Sequence, residues 1–460
     1  MLTSLRIKNF KAWKDTGRIR LAPLTVIFGT NSAGKSSLGH LLLTLKQTAQ
    51  STDRRRALHL GDNKSLIDLG TFQDCIYKHK TENALSFELS WNLPEPIKVV
   101  DSLQEGAQYE GDVLKLDVTI GAGKTDQPEV NSLRYQLSAG GEEKLNITLG
   151  KTEKGKFDLT SESYRFVKSH GRKWPMEDPE KFYRLSDNSL ARYQNAGFLM
   201  DFALATEKVL DHFYYVGPLR DHPKRTYLWS GDTPEDVGLK GEFAIAALLA
   251  AEAQKRQLNR GTRMRLQMFS EFIAGWLKDL GIIHDFKVKP VAPGRKEYEV
   301  LVKTQPGASE VKIADVGFGV SQVLPVLVEA FYCPPHSTVW IEQPEIHLHP
   351  QVQAEITDVF ISAIKARENG KNRNVQFIIE SHSEHFINRL QRRIAEGVIS
   401  HEDVAVYFCK RKGSSVELEP LQLNLFGDIE NWPENFFGDE MADITARTIA
   451  AMQRRKEQEK

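Results

Sequence analysis

The segment GTNSAGKSS, from Gly29 to Ser37, has the spacing G-x-x-x-x-G-K-[ST] between a stretch typical of a buried strand and one typical of an amphipathic helix. Backbone amides of such a loop can surround phosphate groups at a helix N-terminus, while Lys35 can reach the β and γ phosphates and the Ser36 hydroxyl can bind Mg²⁺. The residues expected to contact the nucleotide are Gly29, Asn31, Ser32, Ala33, Gly34, Lys35, Ser36 and Ser37. The pattern predicts a site for ATP and Mg²⁺.

A second candidate for chemistry lies in TVWIEQPEIHLHP, from Thr338 to Pro350. Four residues suited to a buried strand precede Glu342, so its carboxylate is predicted at the strand's end, where it could hold Mg²⁺. Nucleotide triphosphatases usually have a second carboxylate next in the chain to activate water, but Gln343 stands there, and an amide cannot accept the proton. Two roles stay open: Gln343 orients the water while the phosphate takes the proton, or Glu345 supplies the carboxylate.

The segment ADVGFGVSQVLPVLVEA, residues 314–330, predicts a second helix start suited to an anion. Two glycines allow close approach to the backbone, and Ser321 and Gln322 begin an apolar helix whose N-terminal amides attract negative charge. Gly319, Ser321 and Gln322 are therefore candidate phosphate contacts. Because the first loop already binds phosphate, this second helix end could serve the nucleotide of a partner subunit.

The elements around these motifs predict an α/β protein. LRIKNF and IRLAPLTVIFG are predicted as strands, and the short alternating segments between residues 84 and 159 predict an antiparallel sheet inserted into the core. Helical periodicity follows over residues 187–212 and 241–280. Strands and helices alternate after Phe286, and a charged helix is predicted from Asp439 to about Lys456.

Composition limits the classes of function. The chain has 460 residues, 40% of them hydrophobic and 27% charged, and its 61 basic and 61 acidic residues leave no net charge. Nucleic-acid or membrane binding by the whole surface is therefore not expected, although local basic patches remain. The three cysteines favour a reducing compartment, and no run of about 18 apolar residues could span a bilayer. We expect a soluble, cytoplasmic protein without a membrane partner.

The order of these motifs resembles the ABC-type ATPases, in particular the branch that contains Rad50, RecF and the overcoming-lysogenization-defect (OLD) proteins. The resemblance covers about residues 1–90 and 311–425, and IEQPEIHLHP and IIESHSEHF carry it most clearly. It implies that Glu342 holds Mg²⁺, that Gln343 stands at the catalytic glutamate's position, and that His382 contacts the γ-phosphate. GFGVSQ looks like the signature loop, but its serine does not align cleanly with that of the family.

The resemblance also implies a division of the chain and a quaternary state. The predicted division is an N-terminal half of a P-loop, ABC-type ATPase core (1–95), inserted β and helical lobes (96–310), a C-terminal half of the core (311–425) and a helical tail (426–460). A signature helix reaches nucleotide only across subunits, so a homodimer or larger even-numbered oligomer is expected. Phe10 and Trp13 could stack on adenine or belong to the core, and Gln73 could act as the family's glutamine sensor or lie in a surface turn.

The leading hypothesis is a slow ATPase that acts as sensor or scaffold for a separately encoded effector in bacterial anti-phage defence. It follows from OLD-like relatives without a nuclease domain, and the effector is expected to be a nuclease. One alternative is a RecF/Rad50-type DNA-repair ATPase that binds DNA through basic stretches at residues 54–56, 171–174 and 217–225. The other is a dimeric binding module that ATP locks without turnover.

Overall fold

The structure is a computed structural model that describes residues 1–101, 107–152, 155–171, 176–262, 264–413, 415–433, 436, 445–452 and 454. Its helices are α1 (Lys35–Gln50), α2 (Phe72–Cys75), α3 (Asp187–Leu190), α4 (Leu199–Asp211), α5 (Ala244–Ala253), α6 (Phe269–Asp279), α7 (Phe318–Tyr332), α8 (Pro350–Lys365) and α9 (Glu384–Ala395). Short 3-10 turns occupy Tyr77–His79, Ile313–Asp315 and His401–Asp403.

The strands are β1 (Leu2–Phe10), β2 (Trp13–Asp15), β3 (Ile19–Arg20), β4 (Leu24–Gly29), β5 (Leu85–Val100), β6 (Gln108–Ala122), β7 (Pro128–Ala139), β8 (Glu142–Lys151), β9 (Phe157–Thr160), β10 (Phe213–Val216), β11 (Tyr227–Leu228), β12 (Gln257–Asn259), β13 (Gln267–Met268), β14 (Asp285–Pro290), β15 (Glu297–Lys303), β16 (Val311–Lys312), β17 (Thr338–Glu342), β18 (Arg367–Glu368), β19 (Lys371–Asn372), β20 (Gln376–Glu380), β21 (Val404–Lys412) and β22 (Ser415–Leu421).

A six-stranded sheet in the order β10-β17-β20-β4-β21-β22 positions the candidate site. Its first five strands are parallel, and only β22 is antiparallel to its neighbour. The central strands β4, β17 and β20 are buried at every residue, as expected for parallel strands covered on both faces. Because the carboxyl ends of parallel strands meet at one edge, residues that follow β4, β10, β17 and β20 come together there.

The helices cover both faces of this sheet. Side chains of β17 alternate between the two hydrophobic cores: Trp340 packs with the apolar face of α1, whereas Val339 and Ile341 pack with α7 and α8. On the α1 side the approach is close, since a Cβ at Gly39 would lie 2.7 Å from the Trp340 ring. A glycine at this position therefore lets α1 lie directly against β17.

The second large sheet is antiparallel and has eight strands, in the order β2-β1-β5-β6-β7-β8-β9, with β3 paired to β1. Alternate residues of β5, namely Leu85, Phe87, Leu89 and Trp91, are buried, as in a sheet with one face on a core. The sheet predicted for residues 84–159 is thus present, but it begins earlier, with three strands that precede the phosphate loop. The predicted division at residues 95 and 96 falls inside β5.

Helices occur in both stretches where they were predicted, but each stretch contains two shorter helices rather than one continuous helix. The stretch 187–212 contains α3 and α4 with a break between them, and the stretch 241–280 contains α5 and α6 separated by the short strands β12 and β13. Of the predicted charged C-terminal helix, residues 445–452 and 454 are helical, and its two ends lie outside the described residues. The α/β class itself is confirmed. In the part of the chain that the structure describes, no helix is both long enough and apolar enough to cross a bilayer.

Candidate functional site

The phosphate loop connects β4 to α1 through two glycines in left-handed or extended positive-φ conformations. Gly29 has φ 147° and Gly34 has φ 79°, and a Cβ at either residue would lie within 3 Å of a neighbouring atom. The chain therefore needs glycine at both positions. Lys35 is 6% exposed, and its Nζ donates to the carbonyls of Gly29 and Thr30 at 3.0 Å each. Burial lowers the pKa of this ammonium, which is turned into the loop.

The Trp13 side chain contacts the phosphate loop and the first turn of α1. Its indole Nε1 donates to the Gly34 carbonyl at 3.0 Å and lies 2.9 Å from the Ser37 hydroxyl. Trp13 and Phe10 are both almost fully buried. The two rings belong to the core, which is the second of the alternatives open from the sequence, and Trp13 fixes the loop rather than offering its face to adenine.

Two glutamates, not one, meet the Ser36 hydroxyl. Ser36 Oγ lies 3.1 Å from Glu342 Oε2 and 2.9 Å from Glu380 Oε2. Glu342 and Glu380 are the last residues of β17 and β20 and are directly paired in the parallel register. Sequence analysis missed Glu380, although the strand NVQFIIE ends in an acid in the same way as TVWIE.

Each glutamate has a second hydrogen-bond donor that fixes its carboxylate. The Tyr215 hydroxyl of β10 donates to Glu342 Oε1, and the Trp340 indole donates to Glu380 Oε1 at 2.9 Å. Burial raises the pKa of Glu342, and burial together with the nearby charge of Glu342 raises that of Glu380. Two adjacent buried carboxylates are electrostatically costly without a cation.

These groups fit Mg²⁺. The ion prefers hard oxygen ligands and keeps several waters or phosphate oxygens, so it does not need a cage of protein side chains. Ser36, Glu342 and Glu380 supply such oxygens next to the phosphate loop. Among the described residues, no three or more His, Cys, Asp or Glu side chains form a group that could hold a metal ion by themselves.

The turn after β17 carries the two candidate residues for water activation. Gln343 has φ 44°, in the left-handed region, and its backbone N–H donates to the Glu380 carbonyl at 2.8 Å. Glu345 is 6% exposed, and its Oε1 accepts from the backbone N–H of His382 at 2.6 Å. Burial raises the pKa of Glu345. The structure thus brings both candidates and His382 to the same edge of the sheet.

His382 follows β20 in the same cluster. Burial and the charge of Lys35 lower the pKa of His382 to about 4, so its imidazole is neutral near pH 7. A neutral imidazole can still donate one N–H to a phosphate oxygen. The side chain is half-buried, as a residue that contacts both protein and ligand would be.

The predicted signature residues begin α7. Gly317 caps the helix and is exposed, Gly319 is half-buried, and Ser321 and Gln322 are 6% and 5% exposed. At the N-terminus of α7, the glycines are thus accessible to a ligand, whereas the side chains of Ser321 and Gln322 are buried. Contact of Gly319, Ser321 and Gln322 with a partner's nucleotide stays a prediction.

Comparisons with known proteins agree with this geometry. A family model described as "AAA ATPase domain" matches residues 1–195 and 247–387, and one described as "Protein of unknown function (DUF3696)" matches residues 399–446. No curated protein matches the chain significantly.

Similar solved structures are Smc head domains. The SmcHead bound to the C-winged helix domain of ScpA is 12% identical with a TM-score of 0.43, covering 92% of this chain and 98% of that one. An Smc head domain with an extended coiled coil, bound to the C-terminal domain of ScpA derived from Pyrococcus furiosus, is 11% identical (TM-score 0.40; 92% and 96% covered). The SMC head domain from Thermotoga maritima is 10% identical (TM-score 0.36; 92% and 99% covered).

The match to the AAA ATPase domain covers well over half of the chain. It includes the phosphate loop, the two glutamates that meet Ser36, and His382. The chain therefore belongs to the AAA ATPase domain family and is an ATPase.

Proposed function

We propose that this ATPase works in the ABC manner: it binds ATP with Mg²⁺, hydrolyses it slowly, and uses an ATP-stabilised dimer to control a separately encoded effector. The observation that carries the ATP-binding part is the meeting of Ser36 with Glu342 and Glu380 beside a loop whose lysine is already turned inward. Such an arrangement offers amides and an ammonium to phosphates and oxygens to Mg²⁺.

Each residue of the site has a defined part in this proposal. Lys35 neutralises charge on the β and γ phosphates, and His382 donates to the γ-phosphate, where charge develops in the transition state. Ser36, Glu342 and Glu380 hold Mg²⁺, which supplies further charge neutralisation when bound. Gln343 orients the attacking water, or Glu345 accepts its proton. If Gln343 only orients the water, slow turnover is expected, because no side chain then serves as general base.

Substitution of Glu380 by glutamine tests the metal site. We expect the Mg²⁺ concentration needed for half-maximal ATP binding to rise about 10- to 100-fold, because the ion loses one anionic ligand or its support. ATP binding in excess EDTA should be unchanged or tighter, since the substitution removes negative charge near the phosphates. A Mg²⁺ titration of the binding of a fluorescent ATP analogue measures both quantities.

Glu329→Gln is the matched control for this experiment. Glu329 is also a fully buried glutamate, in α7, and burial raises its pKa to about 8, but it accepts from the Val237 backbone N–H away from the phosphate loop. Its replacement should leave the Mg²⁺ requirement unchanged. An unaltered Mg²⁺ requirement in Glu380→Gln would remove Glu380 from the proposed metal site.

The oligomeric state tests the ABC part of the proposal. We expect a dimer or larger even-numbered assembly that ATP tightens, because the N-terminus of α7 would complete the nucleotide site of a second subunit. Light scattering with and without ATP and Mg²⁺ measures it, and a non-hydrolysable analogue keeps the bound state populated. A monomer under all of these conditions would contradict the ABC mode while leaving ATP binding intact.

The defence role and its effector are supported only by the resemblance to nuclease-free OLD-like proteins. The genes next to this one and a pulldown from the native host would identify the effector, and a nuclease is the expected result. The DNA-repair alternative would show DNA binding that falls linearly with salt on a log-log plot.

Most of the basic side chains named for DNA binding that the structure describes are exposed, and their ion pairs lie at the surface. Arg54 lies 3.9 Å from Asp187, and Arg56 lies 3.6 Å from Asp53. Residues 172–174 lie outside the described residues. In the third stretch, Arg220 is buried. Lys224 and Arg225 of that stretch are exposed, so the salt titration of DNA binding decides between the two proposals.

A further inference from the structure

The segment 217–225, GPLRDHPKR, follows β10 at the edge of the parallel sheet and contains a buried arginine. Arg220 is 6% exposed, and its guanidinium donates from Nη2 to the Glu342 carbonyl at 2.8 Å and from Nη1 to the Gln343 carbonyl at 3.4 Å. These carbonyls belong to the two peptide groups on either side of the Gln343 Cα. Arg220 thus holds the backbone of Gln343, one of the two candidates for water activation.

Gln343 needs such support. Its φ of 44° is in the left-handed region, which residues with a Cβ adopt rarely and at a cost in free energy. Its N–H donates to the Glu380 carbonyl. With Arg220 on both flanking carbonyls, three hydrogen bonds fix the two peptide planes and therefore the direction of the Cα–Cβ bond of Gln343.

The guanidinium also lies near the charge of Glu345, which opposes the effect that burial has on the pKa of Arg220. Glu345 in turn accepts from the His382 backbone. Arg220 is therefore next to every candidate for water activation, although it is far from the phosphate loop along the sequence. An uncompensated buried guanidinium would be costly; the two carbonyls and the nearby charge of Glu345 compensate its two Nη groups, while its buried Nε has no hydrogen-bond partner among the described residues.

Arg220 is itself held in place by its own segment. Gly217 N–H donates to the Leu239 carbonyl and Asp221 N–H donates to the Lys240 carbonyl, at 2.8 and 2.9 Å. At the segment's end, Arg225 pairs with Asp315 at 2.6 Å, two residues before the glycine that caps α7. The segment thus has fixed contacts on both sides of Arg220, so the guanidinium has a defined position.

We propose that Arg220 is a positioning residue for ATP hydrolysis, which holds the turn at Gln343 and Glu345 in the geometry needed to place the attacking water. The inference rests on the proposed hydrolysis at this site. Arg220 donates to backbone carbonyls of the turn, so its loss should affect the chemical step and leave ATP binding nearly intact. Misplacement of a water-orienting group by about 1 Å can slow such a step about 10²-fold.

Arg220→Lys is the main test, because lysine keeps the charge but cannot span two carbonyls with a rigid fork. We expect kcat to fall about 10- to 100-fold, with KM and the dissociation constant of ATP changed by less than about threefold. Arg220→Gln, which loses the charge as well as the fork, should lower kcat at least as much as Arg220→Lys. It also provides a second measurement should the lysine variant fold poorly.

Arg373→Lys is the matched control. Arg373 is another fully buried arginine that donates to two carbonyls, those of Ala330 and Cys333 at 3.0 and 2.6 Å, but it lies just before β20, at the opposite end of that strand from His382. We expect Arg373→Lys to lower the melting temperature as much as Arg220→Lys without lowering kcat. Equal losses of kcat in the two variants would reduce the role of Arg220 to stability and overturn the inference.

A double-mutant cycle separates a positioning role of Arg220 from a general loss of protein stability. If Gln343→Glu changes kcat in the otherwise wild-type protein, that effect should largely disappear in the Arg220→Lys background. Additivity of a Gln343→Glu substitution that does change kcat would overturn the inference, as would wild-type kcat in Arg220→Lys. A wild-type protein that binds no ATP would contradict the proposed function itself, so the two failures are distinguishable.

Discussion

Substitution of Lys35 by alanine is expected to abolish measurable ATP hydrolysis and to weaken ATP binding severely. The ammonium is buried in the phosphate loop, and its removal leaves the β and γ phosphate charge uncompensated in both the bound and the transition state. Loss of one such preorganised donor costs about 10²- to 10³-fold in rate in other enzymes, and a full charge should cost at least as much. Phosphate release and equilibrium binding of an ATP analogue measure the two effects.

Lys46→Ala is the control for Lys35→Ala. Lys46 is on the same helix, is equally buried, and donates to two carbonyls, those of Asp211 and Phe213 at 3.2 and 2.8 Å. Both substitutions remove a buried ammonium from carbonyl partners, so both should lower stability. Only Lys35→Ala should lose ATP. Normal hydrolysis by Lys35→Ala would show that the phosphate loop has been assigned wrongly.

The second large effect is expected at the turn after β17, where Gln343→Glu and Glu345→Gln separate the two candidate roles. If Gln343 only orients water, Gln343→Glu adds a general base beside it and should raise turnover, by up to about 10²-fold where proton transfer limits the rate. If Glu345 is the working carboxylate, Gln343→Glu changes little. Glu345→Gln then stops hydrolysis while ATP still binds.

The structure makes Glu345→Gln a fair test. The Glu345 oxygen that accepts from the His382 N–H has an amide oxygen as its counterpart in glutamine, so the turn can keep this contact. A loss of hydrolysis would then report the lost carboxylate rather than a displaced His382. Steady-state phosphate release is measured alongside His382→Ala, which should be impaired in either scheme because the γ-phosphate loses a donor. Full activity in both Glu345→Gln and His382→Ala would show that the catalytic centre lies elsewhere.

The phosphate loop and the strand that ends in Glu342 could be predicted from the sequence, because the residues of each motif are close together in the chain. The phosphate loop needs glycines, a lysine and a serine at fixed spacing, and Glu342 ends a strand that is apolar at the residues before it. The carboxyl edge of a parallel sheet then brings such strand ends together. Glu380 followed the same rule and could have been found by asking which other buried strand ends in an acid.

The remaining contacts could not be predicted because they depend on the lateral order of the strands. Tyr215 reaches Glu342 only because β10 lies beside β17, more than a hundred residues later in the chain. Arg220 stood in a basic stretch that sequence composition assigned to solvent or DNA, and its burial follows from the same strand pairing. The place of the first three strands in the eight-stranded sheet was missed for a similar reason. β1 pairs with β5, although the whole phosphate-loop region lies between them in the sequence.

The glycine in α1 has a mechanical consequence. With no side chain at Gly39, the helix backbone lies against the Trp340 ring, and the Trp340 indole is hydrogen-bonded to Glu380. The first helix and the end of β20 are thereby joined through one buried, hydrogen-bonded ring, and interiors packed in this way deform little. A force applied to the loop by an incoming phosphate is thus carried by the sheet as a whole, and the hinges of any larger movement must lie outside this rigid block.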